Sequence, residues 1–530
     1  MLWQPSLPEK YTTAKPELLA EWIAARRTEL GSRLVILGHH YQTDEVIRHA
    51  DFTGDSLKLS QLAASRVQEQ KAEFVIFCGV HFMAETADLV TPDDVAVILP
   101  DMSAGCSMAD MADYDDALAA WDLLHKTIEA QAGVGGGVGG KKKWHGRIIP
   151  ITYINSSAAI KAFVGKNHGA VCTSSNAGRV FEWAMKGGTQ PVKPGEEIKI
   201  LFLPDQHLGR NTAAAYGLNV ATQTTVYDPR RLSRGEPLGG TTPEALADAK
   251  VILWAGHCSV HKLFRPEHCD EIRQADAARP RGGGGAAERT NILVHPECSK
   301  EVVDKSDLSG STEFIIRTLN DAAPGSRWAV GTEVHLVNRL AREAAARGVQ
   351  VRILSDCQCL CTTMFRIDQE HIAWVLDNLA EGKVVNRISV HPEARKWALM
   401  AIDRSDWERE LLLHEELFMK LSNRLPHELI ALRRLGDLEQ PRSDLVLAIQ
   451  RRVAPRPSRH LPTPEPGGES PGLFGSAHDP GLTGSYYTLE SPKGRMQPVD
   501  GRRRVTQCGV LKGPTGFDGR RRRRQQHSCS

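Results

Sequence analysis

Short aliphatic runs punctuate the chain up to about residue 425, and helix-favouring stretches separate them. Eight runs read as strands: 34–37, 74–77, 95–98, 148–151, 198–201, 251–254, 292–294 and 351–354. Helical patterning intervenes, as in Leu57 to Ala64, Pro243 to Ala249 and Glu333 to Ala346. Near-continuous apolar strands between helices suit parallel sheets buried on both faces. The pattern predicts an α/β fold.

Three of these strands run straight into polar chemistry: Gly38-His39-His40-Tyr41, Thr152-Tyr153-Ile154-Asn155 and His295-Pro296-Glu297-Cys298. A serine in a small-residue turn follows each, 14 to 19 residues on: Ser56, Ser174 and Ser311. A strand and a cysteine then close each third, at Cys106, Cys258 and Cys361. Serine and cysteine stand 50 residues apart in the first and last thirds and 84 apart in the middle one. The shared order predicts a triplicated α/β unit. Ligands of parallel sheets collect at the carboxyl ends of strands. Three converging units would set one cysteine from each around a central cavity.

Composition narrows the chemistry. Of 530 residues, 41% are hydrophobic and 25% charged, enough for several cored units. A net charge of +2 does not advertise nucleic-acid binding. No apolar run nears the ~18 residues of a membrane span. Met1 to Lys10 does not read as a signal peptide, so a cytoplasmic protein is expected. Eleven cysteines in such a chain argue against a disulfide framework. Cys78, Cys172, Cys269 and Cys298 read individually as buried apolar residues.

The densest cysteine motif is Cys357-Gln358-Cys359-Leu360-Cys361. On an extended segment all three thiols would face one way, a claw for a soft metal or an iron–sulfur cluster. Zinc competes, but it favours wider spacings and tetrahedral closure. Cys106 and Cys258 sit in Gly-containing loops whose N–H groups could approach an anionic cluster. Three thiolates would leave one iron of a four-iron cube open as a Lewis acid. His39, Tyr41, Tyr153, His261, His295 and Glu297 are strand-end acid–base candidates. Ser56, Asn155, Ser174, Ser311 and Thr312 offer donors to carboxylate or phosphate oxygens. No phosphate-binding Gly-Lys-Ser loop or Gly-x-Gly-x-x-Gly is present at a strand end.

Together with Gly54-Asp55-Ser56-Leu57, Phe82-Met83-Ala84-Glu85-Thr86-Ala87, Gly256-His257-Cys258-Ser259-Val260-His261 and Cys361-Thr362-Thr363-Met364, these motifs resemble the quinolinate synthase family from about residue 15 to 405. The resemblance implies three pseudo-repeated αβα domains around one [4Fe-4S] cluster held by Cys106, Cys258 and Cys361. It implies condensation of iminoaspartate with dihydroxyacetone phosphate to quinolinate, with loss of phosphate and two waters, and a functional link to L-aspartate oxidase. By motif match, Tyr41, Tyr153, His261, His295 and Glu297 are acid–base and positioning groups. His39, Ser56, Asn155, Ser174, Ser311 and Thr312 match groups that hold carboxylates and phosphate. No nucleic-acid or membrane partner is implied. A cluster-dependent hydro-lyase without a phosphate site is the alternative enzyme. An iron–sulfur sensor using the basic tail on nucleic acid is the non-enzymatic one.

The expected units are 1–110, completed by about 362–405; 111–262, with a Gly-rich insert at 132–143; and 263–361, with an insert at 279–289. A helical extension at 406–436 and a disordered basic tail at 437–530 are expected to follow. Family members are usually shorter and end near Trp397 to Ile402. A redox pairing of Cys357 with Cys359 would need strained geometry.

Overall fold

A computed structural model of the chain describes residues 4–134, 144–278, 289–356 and 359–404. The expected extension and tail lie outside these residues. So does nearly all of both Gly-rich inserts, although the helix Tyr114–Val134 reaches the start of the first.

Three small sheets form, and every pairing between their strands is parallel. The first contains β1 (Leu34–His39), β2 (Phe52–Gly54), β3 (Phe74–Cys78) and β4 (Ala96–Ile98), in the order β2-β1-β3-β4. The second contains β5 (Gly146–Tyr153), β6 (Ala170–Cys172), β7 (Glu197–Leu203), β8 (Thr224–Tyr227) and β9 (Val251–Trp254), in the order β6-β5-β7-β9-β8. The third contains β10 (Thr290–Val294), β11 (Leu308–Ser309), β12 (Arg327–Gly331) and β13 (Gln350–Ile353), in the order β11-β10-β12-β13. Setting β8 aside, the three sheets have one topology. That extra edge strand lies between Ser174 and Cys258, which accounts for the longer middle third.

Register fixes which residues correspond. His39 pairs with Gly54 and Tyr153 with Cys172. Val294 pairs with Ser309, so the next step sets His295 beside Gly310. Two residues beyond each edge partner stand Ser56, Ser174 and Thr312. Helix caps agree. Asp55 accepts from Lys58 N–H and caps Ser56–Gln70; Ser311 accepts from Phe314 N–H and caps Thr312–Asn320. The counterpart of Ser56 in the third unit is therefore Thr312. The equal serine-to-cysteine spacing had pointed to Ser311, one residue early.

The central strands are mostly buried, as a sheet covered on both faces demands: β1 is buried at all six positions and β9 at all four. Cys78, Cys172, Cys269 and Cys298 are buried among apolar side chains, as read from the sequence.

The end of the described chain fastens two sheets. Ile388 N–H donates to Val97 O, Leu99 N–H donates to Asn386 O, and Arg387 bridges Ile98 antiparallel to β4. The segment then leaves the first sheet. Ala398, Ala401 and Ile402 join the core of the second, although residues to 405 were expected to complete the first unit. The helix at 392–404 crosses Ala158–Lys166 at Gly165, where an added Cβ would stand 1.8 Å from Trp397 O. Only glycine lets the two backbones approach so closely.

Gly165→Ala is therefore expected to lower stability by about 1–3 kcal/mol, the cost of overpacking a tight contact. Urea unfolding followed by circular dichroism checks this. An unchanged midpoint would remove the clasp from the account.

Candidate functional site

One cavity collects residues from all three sheets. Cys106, Cys258 and Cys361 all line it. Each follows the last strand of its repeat, β4, β9 or β13, and each stands three residues before a single 3-10 turn: Ala109–Met111, His261–Leu263 and Met364–Arg366. The turns aim backbone N–H groups at sulfur. Met108 and Ala109 serve Cys106, His261 serves Cys258, and Thr363 and Met364 serve Cys361. The Thr363 hydroxyl adds a contact to Cys361 Sγ at 3.6 Å.

Burial pushes the Cys106 thiol up to about 12 and raises Cys258 and Cys361 as well, each reinforced by neighbouring negative groups. These thiols stay protonated unless a cation takes their place. Converging sulfurs with N–H donors aimed at them suit a cationic metal group, which deprotonates its thiol ligands. The donor set thus fits an iron–sulfur cluster.

Cys359 does not share this position. It is fully buried in the apolar core of the third unit, with Sγ 3.3 Å from Ser355 Oγ. The one-sided claw read from alternation does not form between Cys359 and Cys361. Cys357 lies outside the described residues.

Beside the Cys258 thiol, a buried carboxylate organises the polar groups. The Tyr153 hydroxyl donates to Glu297 Oε1 at 2.7 Å, and His261 Nδ1 lies 3.1 Å from Oε2. Ser174 in turn donates to the Tyr153 oxygen. Burial alone would raise the Glu297 carboxyl. The adjacent histidines and the hydrogen bonds from His261 and Tyr153 outweigh it and hold the group well below the usual carboxylate range. Burial raises both phenols, Tyr41 and Tyr153, so they remain protonated. Cys258, His261 and Glu297 also bring three ligand-type atoms within 4.8 Å of one another. Both Glu297 oxygens in that group are already engaged.

His39 ends β1, His295 directly follows the corresponding strand β10, and the two share a geometry. His39 Nδ1 accepts the N–H of Tyr41 at 3.1 Å; His295 Nδ1 accepts that of Glu297 at 3.4 Å. Burial drives both pKa values down to about 3, with like-charged neighbours adding to it. Both rings are therefore neutral, and these bonds assign the remaining proton to Nε2.

No lysine or arginine is among the cavity-lining residues described. Helix starts reach the cavity instead. Ser56 and Thr312 open their helices at the cavity, and Ser174 stands just before Ala177–Met185. Free N–H groups there favour anions. Asn155 also lines the cavity, and its buried Oδ1 has no partner among the described residues. Ser311 is the one candidate outside the lining; its hydroxyl is spent on its helix cap.

The chain matches the sequence profile of the family described as Quinolinate synthetase A protein over residues 21–405. It belongs to the quinolinate synthase family. It is 48% identical over 396 residues to the quinolinate synthase of Acidobacterium capsulatum, covering 75% of this chain and 94% of that one. It is 50% identical over 400 residues to the quinolinate synthase of Nocardioides sp., covering 75% and 91%. Against the quinolinate synthase of Geobacillus thermodenitrificans it is 45% identical over 399 residues, covering 75% and 96%. No described helix is long and apolar enough to cross a membrane. The sequence reading overlooked Thr332, a buried hydroxyl between Tyr41 and His261. Its signal was the strand-end rule itself, hidden because β12 was not read as a strand.

The two neutral histidines set an acid limit on stability. Unfolded histidine takes up a proton near pH 6.5, whereas His39 and His295 resist until about 3. The unfolded chain binds more protons between these values, so stability is complete above about pH 6.5 and falls as pH drops, by at most about 1.4 kcal/mol per pH unit for each histidine. Urea midpoints at pH 7.5 and 5.0 should fall less steeply in the His39→Gln, His295→Gln double variant than in the parent. Equal slopes would contradict the burial argument.

Proposed function

We propose that the chain condenses iminoaspartate with dihydroxyacetone phosphate to give quinolinate, phosphate and two waters, with Cys106, Cys258 and Cys361 holding a [4Fe-4S] cluster. The observation that carries this reading is the threefold thiol turn opening on the same cavity as three helix starts. Family membership supports the reaction class, a carbon–carbon bond-forming transferase with dehydration steps. An oxidase of aspartate would supply the imine.

When bound, the cluster supplies a Lewis-acidic iron at the corner that lacks a protein ligand. The chain's own groups divide the remaining work. The helix starts at Ser56, Ser174 and Thr312 hold the phosphate and carboxylates. His39 and His295, neutral with a proton on Nε2, donate to substrate oxygens. Ionised Glu297, bonded to Tyr153 and His261, is the base of this buried network. Tyr41 and Tyr153, kept protonated by burial, return protons to leaving oxygens. Asn155 Oδ1 accepts from an imine or hydroxyl. Val80, Phe82, Met83, Met108 and Val260 form apolar wall that limits water around the reactive imine.

Anaerobically reconstituted protein should carry about four irons per chain and release phosphate as quinolinate forms. Cys106→Ala, Cys258→Ala and Cys361→Ala should each lose iron and quinolinate formation; activity unchanged in all three would sink the proposal. Iron-dependent dehydration of a hydroxy acid without phosphate release would instead favour a hydro-lyase.

Ser56→Ala and Thr312→Val should raise KM for the anionic reactants roughly 3- to 30-fold, with a smaller change in kcat, as expected for lost hydrogen bonds to charged groups. Steady-state kinetics with each reactant varied in turn checks this. Unchanged KM values would remove these helix starts from anion binding.

A further inference from the structure

Lys161 lies on the helix Ala158–Lys166, and its side chain is fully buried. It is absent from the cavity lining, and no step of the proposed reaction uses it. A lysine is almost never buried so completely without a partner for its charge. Here Nζ donates to Ser156 O, a neutral carbonyl in the loop that follows Tyr153 and Asn155. The Phe82 ring centroid lies 5.4 Å from Nζ, a cation–π contact. Neither contact supplies a formal negative charge. The negative groups that act on the ammonium lie farther off, at Glu85 and at the Cys106 sulfur.

The packing around Lys161 joins it to the first thiol turn. Phe82 and Cys106 line the same cavity, and Glu85 follows Phe82 on the helix His81–Val90. His81 N–H, at the start of that helix, donates to Ala104 O at 2.8 Å, two residues before Cys106. Glu85 Oε2 accepts Ala158 N–H at 3.0 Å, at the start of the helix that carries Lys161. Burial lowers the lysine to about 8, while Glu85 and Cys106 pull it upward, so it keeps its proton at neutral pH. Cys106 as a cluster ligand is a thiolate. A fixed buried cation and a bound thiolate then meet each other's need for charge.

We propose that Lys161 is a positioning residue for charge, whose buried ammonium balances the Cys106 corner of the [4Fe-4S] cluster, with Glu85 moderating it. The inference rests on the proposed cluster. Reduction adds negative charge to a cluster, so a nearby cation raises its potential and a nearby carboxylate lowers it. A lysine that served only to hold the Ser156 carbonyl would shape the loop and leave the potential alone.

The test compares the reconstituted parent with Lys161→Met and Glu85→Gln. Methionine fills the buried stem without charge, and glutamine keeps an acceptor for Ala158 N–H. Iron content, cluster potential by EPR-monitored titration, and the thermal midpoint of each metal-free protein are measured. Lys161→Met should shift the reduction equilibrium roughly tenfold toward the oxidised cluster, a potential about 59 mV lower for a one-electron couple. It should also release iron to a chelator faster than the parent. Metal-free Lys161→Met should melt no lower than the parent, because a buried charge has been removed. Glu85→Gln should shift the potential upward. An unchanged potential in Lys161→Met, or the same direction of shift in both variants, overturns the inference. Should Lys161→Met fail to fold, Glu85→Gln decides, and an unchanged or lower potential there overturns the inference. A parent that binds no iron overturns the proposed cluster too, whereas an iron-loaded parent with unresponsive variants removes only the role of Lys161.

Discussion

A carboxylate can be buried at the end of a parallel sheet only if its oxygens are met by donors, and Glu297 satisfies that condition with groups from outside its own sheet. Tyr153 comes from the end of β5, His261 from the turn after β9, and Glu297 itself from the loop after β10. Tyr41, after β1, joins through Thr332. The carboxylate thus ties strand ends from all three sheets into one network. A shift of any sheet would leave either an ionised oxygen or a phenol unmatched in a buried site.

The thiols obey a different constraint, and they obey it three times. A short 3-10 turn beginning three residues after each cysteine points amide protons back at the sulfur. Such donors stabilise negative charge on sulfur, while burial alone keeps the thiols protonated. The two tendencies oppose each other until a metal cation arrives. The site is therefore poor at holding free thiolates, which discourages stray cysteine oxidation.

Most central strands were legible because sheets covered on both faces need uninterrupted apolar residues, as in Leu34 to Leu37 and Val251 to Trp254. The edge strands β2, β6 and β11 escaped, being only three, three and two residues long. β12 escaped because Arg327-Trp328-Ala329-Val330-Gly331 lacks a β-branched run, and with it went the strand-end hydroxyl of Thr332. Clustered cysteines were misleading for a related reason. β13 stops at Ile353, so strand alternation does not govern where Cys359 and Cys361 face.

The exchange of Ser311 for Thr312 shows what residue spacing can and cannot establish. Equal spacing compares positions along the chain, and one residue gained or lost in a loop shifts the match without disturbing the fold. Strand register compares positions in space. His39 beside Gly54 and Val294 beside Ser309 leave a single alignment, in which Asp55 and Ser311 cap their helices while Ser56 and Thr312 open onto the cavity. A cap residue spends its oxygen on its own helix, whereas the side chain of the residue after it is turned to the cavity and its lining groups, as Thr312 is to Tyr41. Chemistry at a helix start is therefore assigned by which side of the cap a residue occupies, a distinction one residue wide that composition and spacing do not resolve.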